Sequence, residues 1–178
     1  MTGADAYEIY AIRYGHHDRR SGANYIGGDP HDVLEPLDYF VWAIVGPHTF
    51  ILDSGFDETM GRKRERTITK PVGEGLKAIG IDPATVEQVI VSHLHFDHAG
   101  NYDLFPRARY HLQDCEMAYA TGRCMCHAHL RLPFEADDVT SMVRFFHPQI
   151  IAQCADKPGP TLEQMVDFVI GSISAGRG

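Results

Sequence analysis

Three imidazoles and one carboxylate fall within six residues of this chain: His93, His95, Asp97 and His98, in the string Ser92-His93-Leu94-His95-Phe96-Asp97-His98-Ala99-Gly100. Imidazole nitrogen and carboxylate oxygen are donors that suit zinc and similar first-row ions. On extended backbone, residues two apart point to the same side. His93, His95 and Asp97 can therefore face one point, with His98 turned to an adjacent one. Two neighbouring points of convergence suggest two ions rather than one, and such ions activate water and polarise carbonyls. The alternative is a polar loop whose histidines only cap and hydrogen-bond. Four ligand-type side chains in this register make that the weaker reading.

The elements around the cluster follow from composition and period. Val86–Val91 is an apolar, β-branched run and reads as a buried strand, which places the cluster at a strand's C-terminal end. Ligand sites of α/β proteins gather there. Tyr7–Tyr14 reads as a first strand. A long Gly- and Pro-containing loop is expected from Gly15 to about Leu37, carrying His16, His17, Asp18 and His31 as solvated side chains. Asp38–Val45 and His48–Leu52, joined by Gly46-Pro47, read as a β-hairpin that ends at Asp53. Arg62–Arg66 is a charge run expected to be a solvated loop. Val72, Leu76 and Ile79 have helical spacing, and Gly80 can stop that helix.

After the cluster, 101–105 reads as a short helical turn and Ala108–Gln113 as a strand, with His111 expected to be packed. Asp114 is placed as the N-cap of a helix ending near Gly122. Asp137 or Asp138 can cap a further helix, with Val139, Met142, Val143 and Phe146 on one face and Pro148 as its expected end. A last helical pattern runs through Leu162, Met165, Val166, Val169 and Ile170.

The totals narrow the function classes. A chain of 178 residues with 44% apolar and 22% charged residues suggests one globular domain. A net charge of −8 without a basic run argues against nucleic acid and anionic membranes as partners. No cationic-then-apolar leader is visible at Met1–Tyr14, and no segment has the apolar length of a membrane span. Cys115, Cys124, Cys126 and Cys154 form no spaced framework and read as reduced thiols. The expected location is cytoplasmic.

The His-x-His-x-Asp-His string resembles the signature of the metallo-β-lactamase superfamily. The longer string Val-Ser-His-Leu-His-Phe-Asp-His-Ala-Gly-Asn is similar to the N-acyl-homoserine lactonase branch, and the resemblance runs from about Tyr7 to about Arg144. It implies an α/β fold: the first half of a helix–sheet–sheet–helix (αββα) sandwich, followed by a helical tail foreign to the family. The implied division is 1–147 for the incomplete family-like domain and 148–178 for the tail.

The resemblance also implies roles. His93, His95, Asp97 and His98 would be ligands of zinc, one or two ions, or of another divalent metal. Asp97 would also be the acid that protonates the leaving alkoxide. Asp53, in an Asp-Ser-Gly context, would orient the ligands from beneath, as carboxylates behind metal-binding imidazoles do. An Asx-type turn after the strand is its local reading, and the two are compatible. Cys124-Met125-Cys126-His127-Ala128-His129 would lie on a loop and helix over the substrate pocket.

A complete family member carries further ligands after this point: a histidine in a Gly-His-Thr-x-Gly context, a bridging aspartate and a last histidine. These motifs do not occur after Arg144, where the one later histidine is His147. His127, His129, Cys124, Cys126 or a second chain are then the substitutes available. Two functions follow as expectations. The first is a metal-dependent hydrolase that opens small ester or lactone substrates. The second is a truncated, catalytically silent relative that binds metal weakly or not at all. A half sandwich leaves one sheet face uncovered, which favours a homodimer.

Overall fold

In a computed structural model, which describes residues 6–155 and the side chains of 6–145, the β-branched and aromatic runs pair into one six-stranded sheet. Its strands are β1 (Glu8–His17), β2 (Leu37–Val45), β3 (Thr49–Leu52), β4 (Thr67–Ile68), β5 (Gln88–Ile90) and β6 (Arg109–His111). Their spatial order is β4-β1-β2-β3-β5-β6. The β1–β2 and β2–β3 pairs are antiparallel, and β2–β3 is the expected hairpin, with Val45 opposite Thr49. From β3 onward the sheet turns parallel, β5 pairing with β3 and with β6. The helices are α1 (Glu58–Lys63), α2 (Val72–Ala78), α3 (Asp114–Thr121), α4 (Ala128–Arg131) and α5 (Ala136–Ala155).

Alternation along the strands separates two faces. Ile12, Tyr14, Val41, Ala43, Ile51, Val89 and Tyr110 are buried on one of them. There α2 packs near β1 and buries Val72 and Leu76. Gly80, at φ +83°, follows that helix where the sequence placed its stop. The opposite face leaves Ile9, Phe40 and Trp42 exposed, Trp42 at 38%. Register confirms that they share this face, since Ile9 pairs with Ile44, Ala11 with Trp42, and Arg13 with Phe40. The expected uncovered sheet face is thus present among the described residues.

Several local expectations are corrected. Strand β1 continues through His16 and His17, so the irregular segment starts later; His16 is tied by its ring nitrogens to Asp38 and Asp18. The Arg62–Arg66 run is a solvated loop only in part: Arg62, Lys63 and Glu65 are exposed, while Arg64 and Arg66 are half-buried. Its first residues close α1, capped by Asp57, whose Oδ1 accepts the Met60 N–H at 2.7 Å. Lys63 and Arg64 pair with buried Glu135, and Arg66 reaches Nε2 of His17. His111 is exposed rather than packed, bonded to Oε1 of Gln88 at 2.7 Å. Gln113, not Asp114, is the N-cap of α3.

In α5, Asp138 lies within the helix rather than at its cap, and Val143 is 47% exposed. The helix does not end at Pro148. A proline removes one N–H and bends, rather than ends, a helix with turns on both sides. The chain divides into two compact units, Met1–Val143 and Arg144–Gly178. Within the second, Arg144–Ala155 is helical, and the expected helix through Leu162–Ile170 lies outside the described residues.

Candidate functional site

The chain leaves β5 at Ile90 and runs directly into Ser92–Gly100. Burial alternates along it: Leu94 and Phe96 are buried, while His93, His95 and Asp97 are half-buried on the other side. The two-residue period read from the sequence therefore persists beyond the strand. The imidazole centroid of His93 lies 4.4 Å from that of His95 and 4.0 Å from that of His98. The carboxylate of Asp97 comes within 3.4 Å of Nε2 of His98.

Asp53 follows β3 with φ +63°, a backbone state that non-glycine residues enter at a cost. It is held there by its bonds. Its N–H donates to the Ile90 carbonyl at 2.8 Å, and its Oδ1 accepts the Ser92 N–H at 2.8 Å. Its Oδ2 lies 2.7 Å from Nδ1 of His98. With Nδ1 turned to Asp53, Nε2 of His98 faces the carboxylate of Asp97. Burial opposes a charge on His98, but its hydrogen bonds to Asp53 and Asp97 outweigh this and lift it to about 9. Burial and a neighbouring imidazole move His93 and His95 the other way, toward the neutral form that ligates metals. Burial would raise Asp97, yet the His98 hydrogen bond and charge hold it below the usual carboxylate range.

Packing beneath the site uses Tyr14, whose hydroxyl donates to the Asp97 carbonyl at 2.7 Å. Gly55 makes room for that ring: a Cβ there would lie 2.7 Å from Tyr14, and the residue takes φ +68°. On the other side, the Phe96 N–H donates to the Pro133 carbonyl at 2.8 Å, and His95 forms an isolated bridge with Phe134. The Phe134 ring stands edge-on to His95 at 4.8 Å. Glu135 anchors this segment. It receives Lys63 at 2.5 Å and both Nε and Nη2 of Arg64, at 2.8 and 2.6 Å. The Arg64 guanidinium in turn covers the Phe96 ring at 4.6 Å.

The Cys124–His129 stretch forms a 3-10 turn (Arg123–Cys126) and enters α4. Its Cys126, His127 and His129 are exposed, and Cys124 is half-buried. A cleft of about 350 Å³ beside Phe134 is lined by Ala120, Met125, Arg131 and Val139. The donor types of the cluster fit a zinc-type ion, and His98 has the carboxylate partner that metal-binding imidazoles carry. Their number falls short: among the described residues, no three of His, Cys, Asp and Glu are gathered as the shell of one ion.

A family model described as the metallo-beta-lactamase superfamily matches residues 34–164, more than half of the chain. The chain belongs to that superfamily. The match reaches past Arg144, where the sequence motifs stop. An N-acyl homoserine lactonase AttM from Azorhizobium caulinodans is 51% identical over 45 residues, 25% of this chain and 17% of that protein. One from Agrobacterium fabrum is 49% identical over the same shares. Solved structures agree on the fold. A probable metal-dependent hydrolase from Staphylococcus aureus superposes with a TM-score of 0.59 at 16% identity, covering 78% of this chain and 56% of that one. AidC, a dizinc quorum-quenching lactonase, gives 0.58 at 13% identity, covering 81% and 57%. This metallo-β-lactamase-type chain therefore spans little more than half the length of these structures, and the aligned stretch far less of the curated relatives.

Sequence reasoning missed Tyr14, Arg64, Phe134 and Glu135 as neighbours of the site. Each reaches it from a distant stretch, and no local pattern marks such a contact. For Tyr14 one signal was available: an aromatic hydroxyl ending an apolar strand, a group that needs a partner when buried.

Proposed function

We propose that this chain is a metal-dependent hydrolase acting on small lactones or related esters, similar to N-acyl homoserine lactonases. The observation that carries the reading is the gathering of His93, His95 and His98 with Asp53 behind His98. His93, His95, Asp97 and His98 would hold the ion, zinc or another divalent metal, in one or two positions. When bound, such an ion lowers the pKa of a water and polarises a carbonyl.

The chain's own groups do the rest. Asp53 fixes the tautomer and direction of His98. Asp97, held ionised, would take the proton that the attacking water loses and return it to the leaving alkoxide of the opened ring. Phe134 and the cleft beside it offer an apolar wall for the substrate's non-reacting part. The ligands still lacking would come from His127 or His129 on the segment leading to Phe134, or from a second copy of the chain.

A second reading, a catalytically silent relative, is favoured by the absence of a three-donor shell among the described residues. Metal content after dialysis separates the two. The hydrolase reading expects bound zinc or cobalt, and lactone opening in a pH-stat that chelation abolishes. Protein that retains no metal and opens no acyl-homoserine lactone in added zinc would refute it.

A further inference from the structure

The segment that carries the histidines is not a free loop. Three alternate N–H groups along it are each taken by a different element. The Ser92 N–H goes to Oδ1 of Asp53, the Leu94 N–H to Oε1 of Glu116 and the Phe96 N–H to the Pro133 carbonyl, each at 2.8 Å. These bonds do for the segment what a neighbouring strand does for a sheet edge: they keep it extended and keep 93, 95 and 97 on one side. The middle bond sits between the two imidazoles of the His-x-His pair.

Glu116 is the third residue of α3. A glutamate at that position often turns back to the N–H of its own helix cap. Here it reaches across to Leu94, which is fully buried. The Leu94 N–H belongs to the peptide that joins His93 to the next residue. Rotation of that peptide would swing His93 against His95. A buried N–H must also find an acceptor, and within this segment Glu116 supplies it.

We infer that Glu116 is a positioning residue: its carboxylate fixes the His93–Leu94 peptide and thereby the mutual orientation of the His93 and His95 imidazoles. The consequence for metal affinity rests on the function proposed above; the effect on the imidazoles does not. The decisive element is the acceptor oxygen at its present reach, not the negative charge. Glu116→Gln keeps an acceptor there without charge. Glu116→Asp keeps the charge and withdraws the acceptor by one methylene. Glu116→Ala removes both.

The test uses the full chain in two arms. In metal-free protein, nitrogen-resolved NMR follows the Leu94 amide and the imidazole rings. E116Q should retain a protected Leu94 amide and the wild-type ring signals of His93 and His95. E116A and E116D should lose that protection and shift both rings while leaving His111 unchanged. In the second arm, zinc affinity by chelator competition should fall about 10- to 100-fold in E116A and E116D, the range typical for partners of metal ligands. E116Q should stay within about threefold of wild type on the same scale. Wild-type behaviour of E116D with loss in E116Q would overturn the inference, because charge would then be what matters. So would a Leu94 amide that is unprotected in the wild type. If E116A does not fold, the Gln and Asp variants still decide. Should the wild type hold no zinc, the metal reading falls, while the first arm still judges Glu116.

Discussion

Replacing Glu135 by Gln should destabilise the fold by about 2–3 kcal/mol at pH 7, through a charge left behind rather than a cavity. The Glu135 side chain is only 10% exposed, and Arg64, bonded to it twice, is 19% exposed. Breaking a buried ion pair by removing one partner costs on the order of 3–5 kcal/mol. Lys63 is 59% exposed, so its arm adds at most about 1 kcal/mol, as for surface pairs. Arg64 keeps its contact with the Phe96 ring, which offsets part of the loss.

The pH dependence has a defined sign. Burial would raise Glu135, but Lys63 and Arg64 hold its carboxyl below the ordinary 4.5. A depressed folded pKa contributes stability that is complete above the unfolded value and lost as pH falls through the folded one. Wild type and Glu135→Gln should therefore differ fully at pH 7 and converge in acid, as pH falls below the ordinary 4.5 and through the lowered folded value. Urea unfolding followed by the fluorescence of Trp42 measures this directly. In a cycle with Arg64→Met, the coupling should exceed about 1 kcal/mol. A difference under about 0.5 kcal/mol at pH 7, within the scatter of surface substitutions, would refute the argument. So would one that persists undiminished in acid.

Asp138 should show the opposite slope. Burial first, then the charges of Glu135, Asp57 and Asp137, push its carboxyl up to about 7. Its raised folded pKa makes stability fall as pH rises from the unfolded value to the folded one, so Asp138→Asn should gain on wild type between pH 4 and 7 and level off above; parallel denaturation curves at four pH values check this. Gly55→Ala should cost about 2–4 kcal/mol, combining a left-handed backbone with overpacking against Tyr14, as a thermal melt would show. Asp53→Ala should release Nδ1 of His98 and weaken zinc binding about 10- to 100-fold, read by chelator competition.

The fold was legible where its signals are local. The alternation of Tyr7–Tyr14, the Gly46-Pro47 turn and the stop at Gly80 each involve neighbours in sequence, and the strands and α2 appear there. The donor cluster was legible for the same reason, since four ligand-type residues in one short string need no tertiary information. What holds the cluster was not. Glu116, Pro133 and Glu135 act on it from other parts of the chain, and a glutamate on a helix looks the same whether it faces water or a buried N–H. The charge run at Arg62–Arg66 was misjudged because its partner, Glu135, is distant in sequence. Pro148 was misread as an end because helical turns on both sides of it carry the helix on to Ala155.

Among the described residues, the sheet buries one side and leaves Ile9, Phe40 and Trp42 exposed on the other. A fold of this kind removes less apolar area per residue than a closed sandwich, so its heat-capacity increment and denaturant sensitivity should be small for its length. A shallow stability curve makes the melting temperature respond strongly to small changes in free energy. At a ligand concentration 100 times its dissociation constant, binding adds about 2.7 kcal/mol, a large share of such a margin. For this chain, a thermal scan with and without divalent ions should therefore read ligation as a rise in melting temperature.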